Sequence, residues 1–139
     1  MVDTRFSLSV HVMLTLAYNK DELVNSEYLA GMFKTNPTFV RKIVSRLVEA
    51  DLVQSFRGKG GGVKIARSPT EIKLSDIYAA AVDEKCLVST HKKPVSKSCP
   101  VSCSMDGILE GIVAGIEDTT KNYLSKLHLS DLLKKVPKK

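Results

Sequence analysis

Residues 24–66 of this 139-residue chain read VNSEYLAGMFKTNPTFVRKIVSRLVEADLVQSFRGKGGGVKIA, and they decide the fold. Two short amphipathic segments are separated by a few turn residues, and two strand-like runs around a glycine-rich loop follow them. Asn25 and Ser26 can cap the first segment with their side-chain oxygens. Asn36 can cap the second, and Pro37 can take its first helical position without losing a needed N–H. This order of helix, turn, helix and β-hairpin predicts a winged helix-turn-helix.

The second predicted helix has one apolar face and one polar face. At about 100° per residue, Val40, Ile43 and Leu47 fall on the apolar half. The opposite arc carries Thr38, Arg41, Lys42, Ser45 and Glu49. We expect the apolar face to pack in the core and the polar face to enter the major groove of DNA. Asn36 caps the end that faces the groove, where free backbone amides can also point at phosphate.

The predicted hairpin consists of strands at 52–56 and 63–66 around the loop RGKGGG at 57–62. Its glycines permit positive φ and a close approach of the backbone. We expect Arg57, Lys59 and the backbone at Gly60 to contact the minor groove, where cationic side chains meet concentrated negative potential. A nucleotide site is not expected, because Lys59 is not followed by Ser or Thr and the loop joins two strands.

The positive charge is concentrated on this predicted reading unit. The chain has a net charge of +6 at pH 7. Residues 34–67 alone contain eight Lys and Arg residues against Glu49 and Asp51, which equals the whole excess. A basic helix and its adjacent loop are typical of phosphate contact, since binding releases the counterions condensed on DNA.

The remaining segments complete a mainly α fold of one ordinary domain. Asp3 or Thr4 can cap a first helix that runs to about Tyr18, and another helix is predicted at 74–82. Residues 84–100 are rich in Lys, Ser and Thr and indicate an exposed loop. We therefore expect a DNA-binding domain at 1–83, a cysteine-containing sensor loop at 84–103, and a dimerisation helix with a basic tail at 104–139.

The last predicted helix carries an apolar stripe that is long for so small a protein. It runs from Ser104 to about Leu127 and includes Ile108, Ile112 and Ile116. A monomer would expose too much of this surface, so we expect a homodimer around a two-fold axis. A homodimer of this kind predicts a near-palindromic operator.

Other classes of protein find little support in the sequence. It lacks an apolar run long enough to cross a membrane and a secretory signal, which predicts a cytoplasmic protein. His11, His91 and His128 are not at ligand spacing to one another, and no Ser/His/Asp arrangement or paired carboxylates suggest an enzyme. The odd number of cysteines argues against a disulfide framework.

Several motifs resemble those of the BadM/Rrf family of bacterial transcription factors. They are YLA at 28–30, VRKIV at 40–44, LVEADLVQSF at 47–56, RGKGGGV at 57–63, ARSP at 66–69 and LSDI at 74–77. The resemblance covers most of the chain in order. It implies a dimeric winged-helix repressor or activator that dimerises through a long C-terminal helix. In several members, three cysteines in the loop before that helix bind an iron–sulfur cluster.

Cys86, Cys99 and Cys103 leave three interpretations open. An iron–sulfur cluster is one, because thiolates are its usual ligands. Two departures argue against it: twelve and then three residues separate the cysteines, and Leu8 stands where some relatives have an acidic ligand. A reversible thiol switch is the second, since Cys99 and Cys103 lie near a predicted helix N-terminus that favours thiolate. Cysteines that only pack, or that remain from a lost cluster site, are the third.

The sequence thus predicts a DNA-binding regulator, with repression favoured, that responds to a redox, thiol or iron–sulfur signal. One rival is a thiol-redox or metal-handling protein on the same scaffold. Another is an accessory module that uses the winged helix to bind protein. Sequence-selective, salt-sensitive binding to double-stranded DNA separates the regulator from both.

Overall fold

The computed structural model describes residues 4–82 and 98–138, and these confirm a mainly helical fold with one small hairpin. Predictions that concern Asp3, Cys86 and His91 lie outside the described residues. The helices are α1 (Arg5–Tyr18), α2 (Ser26–Phe33), α3 (Pro37–Glu49), a 3-10 turn (Pro69–Glu71), α4 (Leu74–Val82), α5 (Pro100–Ser125) and α6 (Leu129–Leu133). The strands are β1 (Val53–Phe56) and β2 (Gly62–Ile65). No helix in the described ranges is long and apolar enough to span a membrane.

The two helices of the helix-turn-helix begin where their asparagine caps predict. Asn25 accepts a 2.7 Å hydrogen bond from the Tyr28 amide, and Asn36 accepts one of the same length from the Thr38 amide. Lys34 ends α2 in a left-handed conformation with φ of 53°. That conformation reverses the chain within a few residues, so α3 can start at Pro37. Capping by Thr4 is not seen, because its ψ of 3° departs from the extended cap geometry and its side chain makes no cap bond.

The hairpin is antiparallel, and each strand starts one residue from its predicted position. Its register pairs Val53 with Ile65 and Phe56 with Gly62. Val24, just before α2, pairs with Val63 through backbone bonds of 2.9 and 2.8 Å. Sequence patterning did not predict this bridge. It fixes the wing against the start of α2 and so sets the position of the wing beside α3.

The core lies between α1, the apolar face of α3, and α4. The largest fully buried side chains belong to Met13, Leu16, Leu29, Leu47, Leu52, Ile72, Ile77 and Leu129. The predicted division of α3 is confirmed, because its apolar residues are buried or half-buried and its polar arc is exposed. The core therefore holds α3 with its polar face outward.

The long helix α5 begins at Pro100, four residues before the predicted start at Ser104. Cys99 has an extended backbone and Pro100 occupies the first helical position, a combination that starts a helix. Cys103 therefore lies on the helix and not in the loop before it. Leu124 is buried near the far end of α5, and the Tyr78 hydroxyl of α4 donates to the Glu117 carboxylate at 3.1 and 3.2 Å.

After α5 the chain folds back onto the winged helix through α6, which was not predicted. The Leu74 amide donates to the Leu127 carbonyl and the Leu129 amide to the Ile72 carbonyl, both at 2.9 Å. His128 precedes α6, and its amide donates to Asp131 at 2.9 Å. Leu129 is fully buried in the core. His128 therefore caps a separate short helix.

Candidate nucleic-acid interface

The exposed arc of α3 presents four of the predicted DNA-binding side chains. Thr38, Arg41, Lys42 and Ser45 are all exposed. In residues 4–82 and 98–138, neither Arg41 nor Lys42 forms an ion pair. Asn36 is different, because its side-chain oxygen already accepts the Thr38 amide in the helix cap. Both cations are thus available to an anionic partner, while Asn36 orients the first turn.

The tip of the wing presents the other predicted contacts. Arg57, Lys59 and Gly60 are exposed. Gly58 and Gly60 have φ of 92° and 81°, which only glycine adopts readily. A Cβ on Gly61 would collide with the Phe56 carbonyl oxygen. The glycines thus allow a tight loop that projects the two cations away from the core.

The outward face of the hairpin adds an aromatic and a cation that sequence reasoning missed. Phe56 is 43% exposed, and the Lys64 ammonium lies 5.2 Å from the centre of its ring. The two residues lie diagonally across the strands, where long side chains reach one another. Phe56 and Lys64 alternate with Val53 and Val63 along the strands, and this alternation could have identified them from the sequence.

A polar cleft of about 370 Å³ separates α3 from the wing. Arg41 contributes its cation, and the hydroxyl-bearing residues Ser26 and Ser55 also line the cleft. Glu27 on the same rim adds one negative charge. Ser26 and Ser55 were not predicted as site residues, because only the Val24–Val63 bridge brings α2 and β1 together here.

The outer surface of α5 carries the apolar stripe that predicts a dimer. In the described structure its exposed members are Val101, Ile108, Ile112, Ile116 and Tyr123. Their spacing places them on one face, away from the buried Leu124. This face has no partner within the described residues of one chain.

Two of the three cysteines fall in the described residues, at the start of α5. Cys99 is half-buried and Cys103 is exposed. The amide and hydroxyl of Ser102, followed by the Val101 amide, lower the pKa of the Cys99 thiol from its ordinary value. These groups favour the thiolate because they present hydrogens to the sulfur at the positive end of the helix.

Comparison with known proteins decides the family. A family model described as Rrf2, "Iron-dependent Transcriptional regulator", matches residues 2–135. The chain belongs to the Rrf2 family. The match covers nearly the whole chain and confirms the resemblance carried by the α3 and wing motifs. This Rrf2 protein is a DNA-binding transcriptional regulator.

Individual relatives agree with this assignment. YwnA of Bacillus subtilis, named as a helix-turn-helix transcriptional regulator, is 28% identical over 133 residues, covering 96% of this chain and 97% of YwnA. NsrR of the same species, also named as such a regulator, is 27% identical and covers 94% of this chain and 87% of NsrR. The structure of CymR, the global cysteine regulator of B. subtilis, has a TM-score of 0.68 at 21% identity, with 99% and 98% of the chains covered. CymR is similar in fold; the two sequence relatives carry names of regulators, not of enzymes.

The described residues of this Rrf2 protein do not make up an iron–sulfur site. Such a cluster is usually held by four ligands. Cys99 caps α5 and Cys103 lies in the first turn of that helix, and no three His, Cys, Asp or Glu side chains gather in residues 4–82 and 98–138. Leu8, at the position where some relatives place an acidic ligand, packs its apolar side chain against the core.

Proposed function

We propose that this Rrf2 protein is a homodimeric repressor that binds a near-palindromic operator in the cytoplasm, with α3 in the major groove and the wing in the adjacent minor groove. One observation carries the proposal. Arg41 and Lys42 on α3 and Arg57 and Lys59 on the wing are all exposed, and a polar cleft separates the two groups. That spacing suits two neighbouring grooves of one duplex, since a backbone strand runs between them.

The cleft suggests where that strand lies. A DNA strand that divides the major from the minor groove must pass between a helix in one and a wing in the other. Arg41, Ser26 and Ser55 would then face its phosphates, with a guanidinium and two hydroxyl donors. The carboxylate of Glu27 would repel a phosphate, so the Arg41 guanidinium has to supply the compensating positive charge. We therefore assign Arg41 to backbone contact, and Thr38, Lys42 and Ser45 to the groove itself.

The apolar stripe of α5 supports the two-fold arrangement. Pairing with a second copy would cover Ile108, Ile112 and Ile116 and would relate two α3 helices by a two-fold axis. Two identical reading heads favour an inverted repeat.

The thiols support a redox or thiol signal in preference to a cluster. Cys99 is half-buried and Cys103 is exposed at the end of the helix that we assign to dimerisation. A change of their oxidation state would act on the interface that spaces the two reading heads.

The test is binding to an operator selected from a random duplex library, measured by fluorescence anisotropy across a range of KCl concentrations. Arg41→Ala should weaken binding by about 1–3 kcal/mol and reduce the salt slope by about one, as a lost phosphate contact does. Lys42→Ala should weaken binding to the operator more than to unrelated DNA. Lys121→Ala removes the same charge from exposed α5 and is the matched control. Unchanged affinity in both α3 variants would contradict the assignment, as would failure to select any preferred sequence.

A further inference from the structure

We propose that Lys64, held over the ring of Phe56, is a further phosphate contact of the DNA interface, and that Phe56 is the residue that positions it. The contact lies on the outward face of the wing, beside the cationic loop at 57–62. This inference rests on the proposed function, because it names one more group that meets the same duplex.

The hairpin register brings the two side chains together on its outward face. Val53 and Val63 are buried on the opposite face. Phe56 pairs with Gly62, which has no side chain to cover the ring, and Lys64 is the diagonal neighbour on the partner strand. The Lys64 ammonium lies 5.2 Å from the centre of the Phe56 ring, within the range of a cation–π contact.

The pair lies outside the core. In the described structure, Phe56 is 43% exposed and does not belong to the buried cluster. Lys64 is half-buried, and within residues 4–82 and 98–138 it forms no ion pair. An exposed ring that holds a cation adds little to folding. It does leave a positive charge at the surface for an anionic partner.

The two faces of the wing would meet two different DNA strands. A loop in the minor groove has one backbone strand on each side. Ser55 lines the cleft in which we place the first strand, and Lys64 belongs to the opposite face of the same hairpin. Phe56, at the end of β1, borders the cleft and holds Lys64 on the other side. Lys64 therefore suits a phosphate of the second strand.

The ring matters because a lysine side chain is flexible. Ordering its four-carbon stem on binding costs conformational entropy. Contact with the Phe56 ring orders that stem before DNA arrives, and it leaves the charge in place because the ring supplies no full counter-charge. The ammonium has three N–H donors, so those that do not face the ring remain for phosphate oxygens. Phe56 thus acts on DNA through Lys64.

The experiment is a double-mutant cycle on the full chain. Binding to the selected operator and to an unrelated duplex is measured by fluorescence anisotropy across a range of KCl concentrations. Lys64→Met removes the charge and keeps a stem of similar length. It should weaken binding to both duplexes roughly fivefold at ~0.15 M salt and lower the salt slope by about 0.9, as loss of one phosphate contact does. Lys121→Met on exposed α5 is the matched control and should change neither quantity.

The second arm of the cycle tests the ring. Phe56→Leu keeps an apolar side chain and should weaken binding about two- to fivefold, the range that an exposed cation–π contact supplies. The same change made together with Lys64→Met should add nothing. Phe56→Tyr keeps an aromatic face and should recover the parent affinity. In the free protein, the protons on Cε of Lys64 should show an upfield ring-current shift by NMR that Phe56→Leu removes.

Four results would overturn the proposal: an unchanged salt slope in Lys64→Met, a larger loss for the operator than for unrelated DNA, independent addition of the two single effects, or no ring-current shift. Each leaves the proposed function standing if the parent chain binds its operator. If the parent chain prefers no sequence but binds duplexes with a salt slope that Lys64→Met lowers, the proposed function fails and the phosphate contact survives. If the parent chain binds no DNA, both fail.

Discussion

Substitution of Ile112 by aspartate should dissociate the proposed homodimer, and the structure sets the size of the effect. Ile112 is 55% exposed in the middle of the α5 stripe. Full burial of an isoleucine contributes about 1.5–3 kcal/mol, so covering the exposed half contributes roughly 1–1.5 kcal/mol per copy. A two-fold interface contains the residue twice, which gives about 2–3 kcal/mol. Loss of that contribution weakens dimerisation about 30- to 150-fold. Two buried carboxylates near the axis add a further cost, so this range is a lower bound.

Sedimentation velocity over a concentration series measures the dimer dissociation constant. Ala114→Asp is the matched control, because it places the same charge on α5 about 160° around the helix from Ile112 and at an exposed position. Circular dichroism checks that both variants keep their helices. The reasoning is refuted if Ile112→Asp dimerises like the parent chain, or if Ala114→Asp dissociates to the same degree.

Two further predictions concern the attachment of the C-terminal elements to the winged helix. Leu129→Ala should lower the free energy of unfolding by about 2–5 kcal/mol, because the side chain is fully buried and its loss leaves a cavity; urea denaturation measures this, and a change below 1 kcal/mol would contradict the packing of α6. Tyr78→Phe removes the hydroxyl that donates to Glu117 and should cost roughly 1–2 kcal/mol. Tyr123→Phe, on a 64% exposed ring, is its control and should leave stability unchanged.

The helix-turn-helix and the wing could be predicted because the sequence signals that specify them are local. Asn25 and Asn36 act on amides two or three residues away, and Pro37 fixes its own φ. Apolar periodicity then orients α3 whatever lies elsewhere in the chain. The wing glycines are also a local signal, because the ability to adopt positive φ belongs to the glycine residue itself.

The features that were missed depend on contacts between distant segments. No local pattern places Val24 beside Val63, and without that bridge Ser26 and Ser55 do not share a cleft. The start of α5 at Pro100 was not predicted, because the apolar stripe has few residues before Met105. Helix α6 has only five residues and is held by the core, so its own periodicity is too short to read.

The two halves of α5 carry different tasks, and this separation matters for any signal through the thiols. Near its C-terminal end, α5 is tied to the winged helix by buried Leu124 and by the Tyr78–Glu117 hydrogen bond. The first turn, with Cys99 and Cys103, contributes no side chain to the buried core in the described structure. A change confined to that turn therefore leaves the attachments of α5 intact. An effect of oxidation on DNA affinity would then reflect the spacing of two folded reading heads, because the heads themselves lose no core contact.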